Sequence, residues 1–333
     1  MEEFIDGKEH IVKHWKIIRL VIVCLVLWIA LEKLDSRIFS DFTIEVVEAI
    51  FLVQPLIILT SLTLALRFLL LSNSSRRYLF VFLKANILSV GLNFFLPARM
   101  SELIKPIYLN NKVDAGLSRL TASTVIDRTI DAILLACASL IAFINFFTFN
   151  ISKTIISIIM IVSIILIVIR FQNLMVALLT KFLGPRWGRF FESFIAQIKR
   201  SLQAGVFFQA AALGAAAWFL SFVQVYCFLS VAGKAPISLF DAFFVYIFVV
   251  LGAAIPALPG GLGTFEGAGV LALSQIGFGF QEGLVLAVGL HISQVLFGLL
   301  GTAVILSMEK IGIANLIRQI RESNVVQELN KKE

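Results

Sequence analysis

Residues 239–266 read LFDAFFVYIFVVLGAAIPALPGGLGTFE, and this stretch decides how the chain is built. Between Leu239 and Leu258 it carries a single charge, Asp241. Crossing ~30 Å of hydrocarbon takes about 20 mostly apolar residues, and in lipid the backbone has to satisfy its own hydrogen bonds, so the run is predicted to be a membrane helix. Pro259-Gly260-Gly261-Leu262-Gly263 then interrupts it. Proline removes a backbone donor and glycine releases the backbone torsions, so the helix stops here and restarts toward Thr264-Phe265-Glu266.

Outward from this stretch the same grammar repeats. Apolar spans are predicted at Ile17–Leu31, Phe51–Leu71, Ile130–Phe149, Ile155–Ile169, Val206–Val231 and Gly283–Ser307. A second broken run, Tyr78–Leu96, meets Pro97-Ala98-Arg99-Met100-Ser101-Glu102 and continues as Leu103–Leu109. Twelve of the 21 glycines lie between Gly252 and Gly301, where small residues let helix backbones approach closely in lipid. The whole chain of 333 residues is 59% hydrophobic and 15% charged, against ~45–50% and ~25% for a soluble globular chain. The predicted fold class is an all-α polytopic integral membrane protein with about eight crossings, two of its elements being broken, partly re-entrant hairpins. Residues 1–310 read as one transmembrane domain and residues 311–333 as a charged cytoplasmic tail.

Charge orients this arrangement. Lys8, Lys13, Lys16 and Arg19, the Arg76-Arg77 loop, the Arg170–Arg200 segment and the C-terminal tail are basic, whereas the connections near Asp41, Ser152, Lys234 and Gly279 are poor in positive charge. The positive-inside rule therefore puts both termini of a multi-pass cell-membrane protein in the cytoplasm. The Pro97 hairpin is then entered from inside and the Pro259 hairpin from outside, an inverted pair of the kind that marks midplane transport sites. The Arg170–Arg200 segment, with Trp187, Phe190, Phe191 and Phe194 among its arginines and lysines, reads as an amphipathic surface segment or as a plain solvated loop. The acidic start of the chain and Leu31-Glu32-Lys33 argue against a cleaved signal, so the first span is expected to remain as an anchor.

The net charge of +7 is scattered between apolar runs, which excludes a nucleic-acid reading and fits anionic headgroups. Cys24, Cys137 and Cys227 fall inside apolar runs without metal-ligand spacing. No metal site, cofactor or catalytic residue is expected. Gly260, Gly261, Gly263 and Gly267 do not form a dinucleotide-binding pattern, because Glu266 stands where the last glycine would be and no strand precedes them.

A charge inside the bilayer costs at least ~2.5–3.5 kcal/mol on insertion scales, so intramembrane charges need a reason. Arg99, Glu102 and Lys105 recur every three residues along one helix face after Pro97. A helix start offers free N–H groups to an anion, and an arginine fork can grip a phosphate bidentately; the bland alternative is an Arg99–Glu102 pair that neutralises itself. Asp127 and Asp131 sit four apart with Arg128 beside them, either as an interfacial salt bridge or as a headgroup contact. Glu266 opens a helix, where a carboxylate caps free amides or partners a cation. His291 is read as a hydrogen-bonded packing histidine rather than a proton relay.

Three motifs resemble one known family. Asn93-Phe94-Phe95-Leu96-Pro97-Ala98-Arg99-Met100-Ser101-Glu102 is similar to the N-x-x-x-P-x-R-x-G-E stretch of the lysylphosphatidylglycerol synthase transmembrane-region family, the flippase-like domain. Asp127-Arg128-Thr129-Ile130-Asp131 resembles its E-R-x-x-D stretch, and Leu258 to Glu266 its P-G-G-L-G-x-x-E stretch. Order and spacing agree from about Ile17 to Ser307. Ser101 replaces the usual glycine and Asp127 the usual glutamate, and both changes leave the charges in place.

The resemblance implies lipid translocation between leaflets through a polar groove lined by Arg99, Glu102, Arg128 and Glu266. The partners it implies are membrane lipids: an anionic or aminoacylated phospholipid, or a polyprenyl-phosphate lipid. Multidomain relatives carry a soluble aminoacyl-transferase domain. This chain ends soon after its last span, so the expectation is a non-enzyme that works beside a separate lipid-modifying enzyme. A membrane enzyme or subunit acting on polyprenyl-phosphate-linked sugars is the alternative.

Overall fold

A computed structural model describes residues 43–96, 101–110, 112–146, 192, 195–233, 236–255 and 258–309. The expected spans Ile17–Leu31 and Ile155–Ile169, most of the Arg170–Arg200 segment, the break at Pro97 with Arg99, and the tail lie outside these residues. The described residues form nine α-helices: α1 (Ile44–Leu52), α2 (Gln54–Leu71), α3 (Leu79–Leu92), α4 (Ile104–Asn110), α5 (Leu117–Phe146), α6 (Ala204–Ala232), α7 (Leu239–Ala254), α8 (Thr264–Gln275) and α9 (Phe280–Glu309). Among them, three stretches are long and apolar enough to cross a membrane: Ile44–Leu71, Gly205–Ala232 and Phe280–Glu309, with mean hydropathies of 2.2, 1.8 and 2.0. Phe51, Phe80, Phe208 and Phe219 point outward, each more than 60% exposed. Water would not tolerate a surface of that kind without association, whereas lipid does. The chain is an all-α membrane protein.

The chain divides into two compact units, each assembled from three separate stretches. The first unit draws on α1, the turn at Asn93–Leu96, the end of α6, α7, α8 and the start of α9. Its core holds Ala49, Phe228, Phe244, Ile247 and Leu290. Ser238 caps α7 by accepting the amide of Asp241 at 3.1 Å, so Asp241 serves a helix start. Helices α7 and α8 fold back on one another across the break. A Cβ at Gly252 would lie 2.4 Å from the Thr264 carbonyl oxygen, so only glycine lets these backbones come together. The break itself is a short 3₁₀ turn, Pro259–Gly261, followed by Gly263 as N-cap of α8, with φ of 70°, 77° and 79° at Gly260, Gly261 and Gly263. Three left-handed residues in four positions explain why the sequence is glycine-rich at this point.

The second unit contains α2 after Gln54, α3, α4, α5, most of α6 and the end of α9. Here α3 and α4 form the arms of the other hairpin, tied by the Ser89 hydroxyl donating to the Ser101 carbonyl at 2.9 Å. At the crossing of α3 with α9 the backbones themselves touch: a Cβ on Gly91 would sit 2.3 Å from the Gly298 carbonyl oxygen, and one on Gly298 would sit 3.2 Å from the Gly91 Cα. Glu309, at the end of α9, accepts from Tyr108 at 2.5 Å, Lys112 at 2.5 Å and Lys84 at 3.2 Å, fastening α3 and the α4 region to the last helix. Lys84, an isolated charge in the sequence, thus has a partner. Gln197, from the end of the basic segment, donates to the Leu71 carbonyl at the close of α2.

One helix boundary differs from the sequence reading in a way that matters. The span expected to start at Ile130 is helical from Leu117. Asp127 and Arg128 therefore lie nearly three turns inside a 30-residue helix. Its first half looks polar, yet Thr121, Ser123, Thr124 and Thr129 each donate to the carbonyl four residues back. Hydroxyls satisfied within their own helix make such a segment tolerable in an apolar setting.

Candidate functional site

Arg67 organises the charges of the second unit. It sits in the middle of the α2 run Leu64-Ala65-Leu66-Arg67-Phe68-Leu69 and its side chain is fully buried. Its Nε donates to Asp127 Oδ1 at 2.6 Å, and its Nη1 and Nη2 fork onto the two Asp131 oxygens at 2.7 and 3.1 Å. The four-residue spacing of Asp127 and Asp131 puts both carboxylates on one face of α5, at the separation a guanidinium can bridge. Helix α6 closes over this contact. A Cβ at Gly214 would be 2.9 Å from Arg67 Nη1, and one turn later Trp218 donates its indole N–H to Asp131 at 3.3 Å.

Arg128 extends the network toward the α3–α4 hairpin. Its Nη2 donates to Asp127 Oδ2 at 2.7 Å and lies 3.2 Å from Asp131 Oδ2, while its Nη1 is 3.2 Å from Glu102 Oε1. Glu102 in turn faces Lys105 at 3.7 Å, and the Lys105 ammonium stands 5.9 Å above the Phe68 ring. Three cations (Arg67, Lys105, Arg128) meet three carboxylates (Glu102, Asp127, Asp131), so the formal charges cancel.

Burial splits the six. Arg67, Asp127 and Lys105 are sealed, whereas the side chains of Arg128, Glu102 and Asp131 keep 35%, 26% and 22% of their surface accessible. The buried Arg128 Nε has no hydrogen-bond partner among the described residues. The network thus has an accessible edge carrying both signs of charge, and behind it one buried guanidinium donor without a partner among the described residues.

Glu266 belongs to the first unit. One carboxylate oxygen accepts the Gly263 amide at 2.7 Å, closing the first turn of α8, as its position at a helix start suggested. The other lies 2.7 Å from His291 Nδ1 on α9. The opposite ring nitrogen, Nε2, is 3.1 Å from the Gly260 carbonyl, which the break leaves without a helical partner. The imidazole stacks on Phe265 with ring centroids 4.4 Å apart, and Phe94 lies 5.8 Å away on another side. Pro259, Gly260, Gly261 and Gly263 shape this site through their backbone: a Cβ on Gly260 would clash with the Phe94 ring.

Of the residues singled out in the sequence, Glu102, Lys105, Asp127, Arg128 and Asp131 come together in one network, and Glu266 lies at its own helix break. Pro97 and Arg99 fall outside the described residues. One participant, Arg67, is not singled out in the sequence, and the partners of another, His291, are not legible there. Arg67 lies within an apolar run, about one turn from its end, and a single arginine inside such a run is itself the signal. His291 is hydrogen-bonded, as expected, but nothing local to it announces a partner 25 positions away.

Compared with known families, residues 16–301 match the profile described as the lysylphosphatidylglycerol synthase TM region. The chain matches no curated protein and no solved structure.

Proposed function

The chain belongs to the lysylphosphatidylglycerol synthase transmembrane-region family, and from that premise we propose that it moves a membrane lipid with a charged headgroup between leaflets. The observation that carries the reading is the accessible edge of the six-charge network. Buried ion pairs are weak evidence for stability, since apolar residues of similar volume often serve as well or better. A network of this cost in a membrane domain is therefore best explained by what it contacts. A visiting headgroup meets the accessible part of the Arg128 guanidinium and the carboxylates of Glu102 and Asp131, so phosphate and amine can exchange onto charged partners already in place. The acyl or prenyl tails remain in lipid throughout. Anionic or aminoacylated phospholipids and polyprenyl-phosphate lipids all carry chemistry that this edge can hold.

In this reading the protein sits in the cell membrane with both termini in the cytoplasm and performs no group transfer of its own. A separate enzyme modifies the lipid. Both Asp127 and Asp131 are engaged by guanidinium groups, which argues against their sharing a divalent ion for sugar transfer. The test is leaflet-resolved movement of labelled lipids in liposomes containing the purified protein. Wild type should accelerate movement over empty liposomes, and Arg128→Ala should remove at least about tenfold of that rate, the loss of one charge-assisted contact worth roughly 1.5–3 kcal/mol. Wild-type rates in Arg128→Ala and in Glu102→Gln would defeat the assignment of the site. Turnover of charged tRNA or an activated sugar donor by the purified chain would defeat the non-enzymatic reading.

A further inference from the structure

We propose that Glu266 and His291 form a proton-binding site, and that the bound proton locks the Pro259–Gly263 break onto α9. The hydrogen bonds of the pair fix how many protons it holds. His291 Nε2 faces the Gly260 carbonyl, which can only accept, so Nε2 carries a hydrogen. His291 Nδ1 faces Glu266 Oε1 at 2.7 Å, and that contact is a hydrogen bond only if a second hydrogen lies between nitrogen and oxygen. Whether the second proton resides on the ring or on the carboxyl, the pair holds two protons and is neutral overall.

Remove one proton and the two bonds can no longer coexist. With the hydrogen kept on Nε2, the Nδ1 lone pair opposes a carboxylate. With the tautomer reversed, the Nε2 lone pair opposes the Gly260 carbonyl. In either case one of the two ties between α9 and the break becomes a repulsion. The Gly263 amide bond to the other Glu266 oxygen survives in both states, so what loosens is the attachment to α9 rather than the start of α8.

Among the described residues, the groups around the pair are mostly apolar or aromatic. His291 is 3% exposed and flanked by Phe265 and Phe94. Among the described residues, the elements of this unit carry few other titratable groups: Asp241, held by Ser238, and Tyr246 on α7; Glu282 on α9, nine residues before His291; Glu45 and Glu48 on α1; Tyr226 and Cys227 on α6. The Asn93–Leu96 turn and the 3₁₀ turn carry none. Among the described residues, none of these groups forms an ion pair with Glu266 or His291.

The locked state binds one more proton than the released state, so lowering the pH favours it and raising the pH releases it, by up to about tenfold per pH unit. Two substitutions separate the states. Glu266→Gln keeps an acceptor for the Gly263 amide and offers an N–H to Nδ1, imitating the loaded pair without a titratable proton. His291→Ala removes both ties.

The experiment is hydrogen exchange of residues 258–267, read by mass spectrometry on the full chain in lipid nanodiscs from about pH 5 to about pH 9 and corrected for intrinsic exchange. Wild type should lose protection as pH rises, Glu266→Gln should stay protected throughout, and His291→Ala should be unprotected throughout. Protection independent of pH in wild type, or wild-type pH dependence retained in Glu266→Gln, overturns the proposal. Should His291→Ala fail to fold, Glu266→Gln decides alone. Because the readout is exchange, a failure of lipid translocation in the liposome assay leaves this result intact, and the two readings stand or fall separately.

Discussion

Replacing Arg67 by methionine keeps the length of the side chain and removes its charge. Three charge-assisted hydrogen bonds disappear, at 2.6, 2.7 and 3.1 Å, each worth roughly 1.5–3 kcal/mol. The gross loss of about 4.5–9 kcal/mol is then offset, because Arg128 continues to pair with Asp127 at 2.7 Å and Asp131 at 3.2 Å and methionine fills the space. What remains is the usual result of unpairing a buried carboxylate, about 3–5 kcal/mol, or two to four powers of ten in the folding equilibrium. Asp127 dominates that figure, being only 2% exposed; Asp131 can recover some solvation. The assay is reversible unfolding in mixed micelles, comparing Arg67→Met, Asp131→Asn and the double variant. The double variant should cost less than the sum by about 1–3 kcal/mol, the coupling expected of groups in one network. Arg67→Met within about 0.5 kcal/mol of wild type, the range of an ordinary surface change, would refute the view that this arginine holds the network together.

The glycine contact between α7 and α8 makes a second prediction: Gly252→Ala should destabilise by about 1–3 kcal/mol through overpacking, whereas Gly267→Ala, whose Cβ meets nothing within 4 Å, should not, with both read in the same unfolding assay. Orientation is tested by single cysteines at Gln172 and Gly279 in a chain whose three own cysteines are replaced by serine. An impermeant thiol reagent outside intact cells should label Gly279→Cys and spare Gln172→Cys, and the reverse pattern would invert the topology.

The membrane fold was legible because hydrocarbon imposes a length and a backbone rule that composition alone reveals. The Pro259 break was legible for the same local reason: glycines in left-handed conformations and a proline cannot continue a helix, and Glu266 stands where a helix start wants a carboxylate. Partnerships were not legible. Asp127 and Asp131 advertise their shared face, but that their bridge is Arg67, sixty residues earlier, follows from packing that no local pattern encodes. The true start of α5 was hidden by chemistry of another kind. Serines, threonines and Arg119 lower the apolar density of residues 117–129, and only when the hydroxyls of Thr121, Ser123, Thr124 and Thr129 are seen bonded to their own helix does that stretch read as part of the span.

The crossing of α3 and α9 has a consequence for how the protein can vary. Most packing defects can be repaired from the far side, a larger residue here being answered by a smaller one there. At Gly91 and Gly298 both sides are already at the minimum, and each would-be Cβ meets the other's backbone. Trimming Thr302 or Val90 can remove a side-chain contact with the new group, but no deletion removes its contact with the facing backbone. Relief of that backbone contact comes by displacing one helix along or away from the other, which strains the neighbouring contact of the Thr302 hydroxyl with the Ile87 carbonyl at 3.4 Å. In a selection for restored function after Gly91→Ala, second-site revertants should therefore cluster at flanking positions such as Val90 and Thr302 and be missing from position 298.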